Sequence, residues 1–389
     1  MTLTHRGWLV AAVGAGAMAG WVLFGEVELA ALGMLASAGV IAAWLFVWID
    51  RPHADLRRRL GPALVTEGEE TLVELHVATS RPVFELTLVD EVGGLGSAVF
   101  RVGRLDGAAT GRYRVSCRRR GVYQVGPARL EVTDPFRLAR RVRQVGAVDR
   151  LVVYPRVERL EGLPAAHGRD PAVQLAQTHR SRRGGEDFYT LREYVVGDDL
   201  RRVHWPSSAK RDQLMIRQLE TPWRARALVF FDRRGSSYEN SGCFEQAVRA
   251  VASVVVHLGR AGFDTEVWLG GHSPMDSRDF PATMEQLALV EPASRLDLER
   301  AAIRISRSGG GGVLVLVTGV PDAALVGVHR LLRSDYRSTI LLAASETVAS
   351  LDMALARAGA HTVVCPPDGS WAAGWRQMVE RTWRGISAG

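Results

Sequence analysis

The densest group of side chains able to do chemistry lies in residues 185–210, where carboxylates alternate with arginines. Paired acids such as Glu186 and Asp199 can act as general acid and base. Acids that lie beside arginines such as Arg201 instead form bidentate ion pairs, which leave them catalytically silent. Two interpretations stay open: a polar clasp that fixes one part of the chain to the next, and a hydrolase of peptide or cell-wall substrates.

Two further groups have suitable residue types but the wrong context for catalysis. His204 precedes Ser207 and Ser208 as a base precedes a nucleophile, yet neither serine has the G-x-S-x-G sequence of a nucleophile elbow. The glycines of residues 309–312 come before a predicted strand and lack the G-K-[ST] of a phosphate-binding loop. We therefore predict no catalytic residue and no enzymatic activity from these groups.

The net charge and the cysteine count bear on which partners and which metal sites the chain can have. The 49 Lys and Arg residues exceed the 42 Asp and Glu residues and give a net charge of +7. No recognition-helix or RNA-binding motif accompanies this charge, so we do not predict a nucleic-acid partner. The chain has 3 cysteines without a C-x-x-C pair, which argues against a cysteine zinc site or a disulfide framework.

The elements that must position these groups begin with two apolar runs. Residues Gly7–Gly25 and Leu29–Ile49 hold no charged side chain, and only Glu26, Val27 and Glu28 separate them. At 1.5 Å per residue they span roughly 28 and 31 Å, close to the ~30 Å hydrocarbon core of a bilayer. The sequence predicts a transmembrane helical hairpin over residues 1–50.

Charge predicts the orientation of this hairpin. Arg6 precedes the first run, whereas Arg51, Arg57, Arg58 and Arg59 follow the second. The turn between the runs carries two acids and no base. The positive-inside rule therefore predicts a multi-pass protein of the cell membrane with both termini in the cytoplasm. The arginines after the second run would also lie near anionic lipid.

The rest of the chain shows two different periodicities. In residues 51–160 apolar and polar positions alternate, as at Val73, Leu75 and Val77, which predicts a small antiparallel β-sandwich. Residues 161–223 contain several glycines and prolines and then the polar segment, and we predict a linker followed by that segment. In residues 224–389 wholly apolar strands such as Ala227–Phe231 alternate with amphipathic helices, which predicts a doubly wound α/β domain. The predicted helices of this domain include Met284–Val290, Ala323–Leu332 and Thr347–Ala358.

The polar segment resembles the signature of the bacterial "domain of unknown function 58" family, R-E-Y-x-x-G-D-D-x-R-x-x-x-W. The matching residues are Arg192, Glu193, Tyr194, Gly197, Asp198, Asp199, Arg201 and Trp205. His204 stands where relatives often have an acid. Three upstream stretches, at residues 120–123, 134–136 and 153–155, are similar to further landmarks of the family.

This resemblance implies an architecture more than an activity. Members look like membrane-anchored proteins with a von Willebrand factor type A-like domain, and no activity is established for the family. Their genes often lie beside a MoxR-type AAA+ ATPase and a transglutaminase-like protein. We therefore expect a membrane-anchored, cytoplasmic-facing scaffold that binds a protein partner, with the MoxR-type ATPase as the first candidate.

Type A domains often bind a divalent ion through D-x-S-x-S after their first strand. Here the corresponding residues are Asp232-Arg233-Arg234-Gly235-Ser236, so Asp232 and Ser236 match while Arg234 replaces the middle serine. An arginine turned inward at ~4 Å would repel Mg²⁺ by about 8 kcal/mol, whereas one turned outward would leave a weaker site. We expect no cofactor, and we name Asp232 and Ser236 as the ligands of a degenerate Mg²⁺ site.

Overall fold

A computed structural model describes residues 1–49, 54–164, 189–194, 203–211, 213–219, 226–307, 311–346 and 355–387. The chain divides into two compact units, Met1–Pro155 and Arg156–Gly389. The predicted linker lies largely outside the described residues, and so does most of a helix predicted over residues 347–358.

The first unit begins with helices α1 (His5–Phe24) and α2 (Val27–Ile49). Thr4 caps α1 by accepting a hydrogen bond from the Gly7 N–H, and Gly25 ends it with a left-handed φ of 74°. Both helices are long and apolar enough to cross a bilayer, and most of their residues are exposed. The two predicted apolar helices are therefore confirmed.

Small residues let the two helices approach closely. A Cβ added at Gly33 of α2 would lie 3.1 Å from the Gly14 carbonyl oxygen of α1. A Cβ added at Gly14 would lie 3.1 Å from the Ala36 Cβ. Close backbone contact of this kind is how apolar helices associate where no hydrophobic effect drives them together.

The remainder of the first unit is rich in strands, as the period-two pattern predicts. Its strands are β1 (Thr2–Leu3), β2 (Ala54–Gly61), β3 (Leu64–Thr66), β4 (Glu70–Thr79), β5 (Val83–Val92), β6 (Gly96–Leu105), β7 (Ala108–Ser116), β8 (Gly121–Val125), β9 (Ala128–Thr133), β10 (Ala139–Val145) and β11 (Asp149–Tyr154). One sheet runs β1-β10-β9-β5-β8-β11-β3 with β6 beside β5, and a second runs β2-β4-β7. A single hydrophobic cluster draws on both sheets, for example through Leu75 of β4 and Leu130 of β9.

A buried ion pair lies inside this unit. The Arg58 side chain on β2 is 2% exposed and donates to both oxygens of Asp90 on β5, at 3.0 and 2.5 Å. Arg58 also donates to Asp149 at 2.7 Å, and the Tyr113 hydroxyl donates to Asp90 at 2.6 Å. Arg58 therefore pairs within the protein, whereas its neighbour Arg57 is exposed.

The second unit opens with a short antiparallel pair, β12 (Tyr189–Glu193) and β13 (Met215–Leu219), with helix α3 (Trp205–Arg211) between them in sequence. Its main sheet contains β14 (Arg226–Phe231), β15 (Asp264–Trp268), β16 (Met275–Asp276), β17 (Val313–Thr318), β18 (Ser338–Ala344) and β19 (Ala360–Cys365). The described helices that follow are α4 (Ser241–Arg260), α5 (Phe280–Leu289), α6 (Leu298–Arg307), α7 (Ala323–Leu332) and α8 (Trp371–Ser387).

The order of the strands in this sheet defines where a site can form. The order is β16-β15-β14-β17-β18-β19, with β16 antiparallel and every other neighbouring pair parallel. Strands β15 and β16 are therefore added on one side of β14, whereas β17, β18 and β19 are added on its other side. The predicted α/β region is confirmed, and the strand order reverses between β14 and β17, where ligands bind in such sheets.

Candidate functional site

The carboxyl ends of β14 and β17 bring a polar cluster together at this reversal point. Phe231 and Val317 are neighbours in the sheet, so Asp232 and Thr318 follow side by side. Strands β14 and β17 are almost wholly buried, because both faces of the sheet are covered. Such strands hold the residues that follow them at fixed positions on the edge of the sheet.

Asp232 is fully buried and every contact of its carboxylate is with the protein itself. Its Oδ1 accepts from the Arg234 backbone N–H at 3.1 Å and from Arg234 Nε at 2.9 Å. Its Oδ2 accepts from Arg234 Nη2 at 2.8 Å, from Ser237 Oγ at 3.0 Å and from Thr318 Oγ1 at 3.1 Å. Five donors therefore stabilise the ionised carboxylate.

Asp322 supplies the second carboxylate of the cluster. Arg234 Nη1 donates to Asp322 Oδ2 at 2.8 Å, and Arg234 Nη2 donates to Asp322 Oδ1 at 3.0 Å. The Leu325 N–H also donates to Asp322 Oδ1 at 3.0 Å, so that Asp322 is the N-cap of α7. One guanidinium thus bridges two carboxylates, and we call Asp232, Arg234 and Asp322 the guanidinium bridge.

Electrostatics follow from this geometry. The hydrogen bonds that Arg234 donates to Asp232 first, and then to Asp322, hold the pKa of Arg234 above its usual range in spite of partial burial. Burial alone would raise the pKa of Asp322, but the bonds from Arg234 and from the backbone of α7 lower it overall. Both shifts favour the charged forms of Arg234 and Asp322.

These residues do not fit a divalent ion. The Arg234 guanidinium lies between Asp232 and Asp322, in the place a cation bridging them would need, and it would repel that cation. Ser236 is exposed, and the hydroxyl that reaches Asp232 belongs to the next residue, Ser237. Within the described part of the chain, no group of three or more His, Cys, Asp or Glu side chains could hold a metal.

The loop that carries Arg234 is fixed on both sides. The Gly235 N–H donates to the Ala293 carbonyl at 2.9 Å, and the Ala293 N–H donates to the Arg233 carbonyl at 2.7 Å. On the other side the Val320 N–H donates to the Ser237 carbonyl at 2.7 Å. The loops at this edge are thus tied to one another by their backbones.

The signature residues are only partly described. Arg192 and Glu193 lie on β12, opposite Ile216 and Met215 of β13. The Tyr194 N–H donates to the Leu214 carbonyl at 2.8 Å, and Trp205 begins α3 with 68% of its surface exposed. The predicted residues Gly197, Asp198, Asp199 and Arg201 lie outside the described residues.

His204 and Ser207 do lie within hydrogen-bond distance, at 2.8 Å from Nδ1 to Oγ. The backbone N–H of Ser207 also approaches Nδ1 at 3.3 Å, and the Ser208 hydroxyl donates to the His204 carbonyl at 3.0 Å. All these contacts join residues three or four positions apart at the start of α3. The arrangement is therefore that of a helix cap, in which the imidazole accepts from the first turn.

Three residues of the guanidinium bridge environment were not predicted as site residues: Ser237, Thr318 and Asp322. Thr318 and Asp322 are far from Asp232 in sequence, and only the pairing of β14 with β17 brings them close. One signal was available, because two consecutive arginines, Arg233 and Arg234, follow a single aspartate and leave one positive charge to be balanced from elsewhere in the chain.

Comparison with known proteins gives one family assignment for part of the chain. Residues 190–319 match the model of the family described as "Protein of unknown function DUF58". No curated protein matches the chain. The match covers all the signature residues, from Arg192 to Trp205, and the α/β region as far as the end of β17.

Solved structures resemble the chain only distantly. The CARDB domain of a Pyrococcus furiosus protein is 15% identical, covers 26% of this chain and 94% of its own, and has a TM-score of 0.21. The C-terminal domain of wzt is 11% identical over 28% of this chain and 81% of its own, with a TM-score of 0.21. Cwp6 from Clostridium difficile is 9% identical over 80% of this chain and 54% of its own, with a TM-score of 0.16.

Proposed function

We propose that the protein is a membrane-anchored scaffold whose α/β domain binds a protein partner at the carboxyl edge of its sheet. The guanidinium bridge is the observation that carries this proposal. It pairs one arginine with both Asp232 and Asp322 and joins the loops that follow two strands into one surface. Loops held on a rigid scaffold are where recognition residues concentrate.

The partner to test first is a MoxR-type AAA+ ATPase, because the DUF58 resemblance implies genes that lie together. The test is an equilibrium binding measurement between the full chain in lipid nanodiscs and the purified ATPase from the same genome. Saturable binding that survives excess chelator supports the proposal. Absence of binding at every nucleotide state of the ATPase refutes this choice of partner.

The α/β domain is of the von Willebrand factor type A-like kind in this proposal. Support comes from the doubly wound strand order and from the position of Asp232 at the end of β14, where the D-x-S-x-S motif of such domains begins. The strand-rich part of the first unit is a β-sandwich in the same proposal, supported by the hydrophobic cluster that both of its sheets share.

In the same proposal α1 and α2 cross the cell membrane and both termini lie in the cytoplasm. This orientation is supported by Arg6 in the first turn of α1, by Glu26 between the helices and by Glu28 in the first turn of α2. Alkaline phosphatase fused after Gly389 is expected to be inactive, and a fluorescent protein fused there is expected to fold. An exported, active phosphatase would refute the orientation.

A hydrolase acting through the acids of the signature segment is the alternative. Most of these acids, including Asp198 and Asp199, lie outside the described residues. The alternative gains support if Asp198→Asn and Asp199→Asn abolish a measured hydrolysis of peptide or cell-wall substrates while the variants melt like the parent.

A further inference from the structure

The first unit exposes one aromatic side chain far more than its fold requires. Phe136, between β9 and β10, is 77% exposed. Among the described residues outside α1 and α2, no other large apolar side chain is so exposed. Covering a side chain of this size and exposure with an apolar phase is favourable, because the transfer removes its apolar surface from water.

The turn that carries Phe136 is built to hold it outward. Asp134 is buried, and its Oδ2 accepts from the Phe136 N–H at 2.9 Å while its Oδ1 accepts from the Ala139 N–H at 2.6 Å. The Arg137 N–H donates to the Asp134 carbonyl at 2.9 Å, and Arg137 has a φ of 57°. We call residues 134–138 the aromatic turn.

The aromatic turn lies against the ends of the two apolar helices. The Thr4 N–H donates to the Leu138 carbonyl at 2.9 Å, and the Thr4 hydroxyl donates to the same oxygen at 3.2 Å. Gly7 of α1 passes so close to Leu138 that a Cβ at Gly7 would collide with its carbonyl. The turn therefore contacts the first helical turn of α1 directly.

The last turns of α2 meet the same region. Ala43 and Val47 form a buried cluster with Ala139. Ala43 lies six residues before the end of α2, about 9 Å along the helix axis. The start of β10 is thus level with the last turns of the helix.

Tryptophans mark this level as the membrane–water interface. Trp8, Trp44 and Trp48 are 66%, 45% and 43% exposed, and all lie at the same end of the hairpin. Tryptophan is enriched where the hydrocarbon core meets the headgroups. The aromatic turn therefore lies at the depth of a tryptophan belt.

We propose that the aromatic turn is a second membrane contact, in which Phe136 enters the interface of the bilayer that α1 and α2 cross. The exposed cations Arg6 and Arg137 flank it and meet the phosphate groups of the lipid. The bilayer is the occupant because the turn is continuous with the helices through Thr4 and Ala139. This contact would fix the β-rich part of the unit against the membrane.

Site-directed labelling can test the contact on the full chain. The native thiols Cys117, Cys243 and Cys365 are buried, and burial raises the pKa of each, so they react poorly with maleimides. Phe136→Cys, labelled with the environment-sensitive dye NBD, is reconstituted into vesicles of phosphatidylcholine and phosphatidylglycerol. Pro135→Cys provides a second position in the same turn.

The matched control is Val148→Cys, because Val148 is also apolar and 53% exposed. Strand β1 leads into α1 and pairs antiparallel with β10, so β10 runs away from the helices. Val148 follows the end of β10 that lies away from the helices. Strand β10 has 7 residues, so that end is roughly 20 Å from Ala139.

The expected result is blue-shifted NBD emission at Phe136→Cys or Pro135→Cys, with loss of emission when lipids carrying nitroxides near the headgroup are added. Val148→Cys should show neither effect. If both turn positions emit and are quenched like Val148→Cys, the proposal is wrong. Circular dichroism and melting of each labelled protein confirm that the comparison is made on folded chains.

Discussion

Arg234 and Asp322 lie 88 positions apart in sequence and form a bidentate ion pair, with Nη1–Oδ2 at 2.8 Å and Nη2–Oδ1 at 3.0 Å. Through the same guanidinium Arg234 also pairs with the buried Asp232. A residue of the chain itself therefore joins the loops that follow β14 and β17.

Removing Arg234 is expected to destabilise the protein strongly. Arg234→Ser leaves Asp232 buried without its cation, a loss that costs about 3–5 kcal/mol of unfolding free energy. The neighbouring Arg233→Ser is the control, because the Arg233 side chain donates to the Glu291 carbonyl at 3.2 Å, and one such bond is worth ~0.5–1.5 kcal/mol. Urea unfolding measures both free energies. Equal losses for the two variants would show that the guanidinium bridge contributes no more to stability than a single surface hydrogen bond.

The same variant should acquire a divalent-ion dependence that the wild type lacks. Arg234→Ser restores the D-x-S-x-S pattern and leaves oxygens of Asp232, Thr318 and Asp322 facing a position without a cation. At a Mg²⁺ or Mn²⁺ concentration 100 times the Kd, ion binding would raise the unfolding free energy of this variant by about 2.7 kcal/mol. Thermal melts with each ion and with chelator test this, and a wild-type protein that is itself stabilised by Mg²⁺ would contradict the account.

The ion pair of Asp322 predicts a specific loss of stability in acid. The pKa of Asp322 is lowered in the folded state, so its contribution is complete above the unfolded value of about 3.9 and is lost as pH falls through the folded value. Asp322→Asn lacks this contribution. The stability difference between wild type and Asp322→Asn should therefore shrink as pH falls below about 4, and a difference that grows in acid would reverse the sign of the argument.

Arg58 and Arg57 are neighbours that differ in burial, so variants of the two compare a buried ion pair with a surface charge. Arg58→Ala leaves Asp90 fully buried and unpaired and should cost about 3–5 kcal/mol, whereas the exposed Arg57→Ala should change stability by less than ~0.5 kcal/mol. Chemical unfolding of the two variants is the measurement. Similar values for both would mean that Arg58 acts as a surface charge beside the membrane.

The sequence predicted the elements well where one local pattern determines them. The apolar runs predicted α1 and α2 to within a few residues, and α7 occupies the predicted Ala323–Leu332. Helix α5 starts earlier than the predicted Met284, because Asp279 caps it and accepts from the Ala282 N–H. The spacing of apolar residues does not show where such an N-cap lies, so it does not locate the first residue of the helix.

The candidate site was harder to predict because it depends on pairing between distant strands. Asp232 was identified from the end of a buried strand, but the hydroxyls that donate to it belong to Ser237 and Thr318, whereas the predicted Ser236 is exposed. Asp322 became visible as the partner of Arg234 only once β17 lay beside β14. Arg58 shows the same limit, since its position beside the apolar run suggested lipid while tertiary packing buries it on Asp90.

The central claim is that the carboxyl edge of the α/β sheet binds a protein partner without a metal ion. Its most direct test is the affinity of the full chain in nanodiscs for the MoxR-type ATPase, measured for Ser236→Arg and Ser334→Arg. Ser236 is exposed at the carboxyl edge, and Ser334 is exposed before β18 at the opposite edge. The account predicts that Ser236→Arg weakens binding, that Ser334→Arg does not, and that excess chelator changes neither value. Binding that ignores Ser236→Arg, or that disappears in chelator, would contradict it.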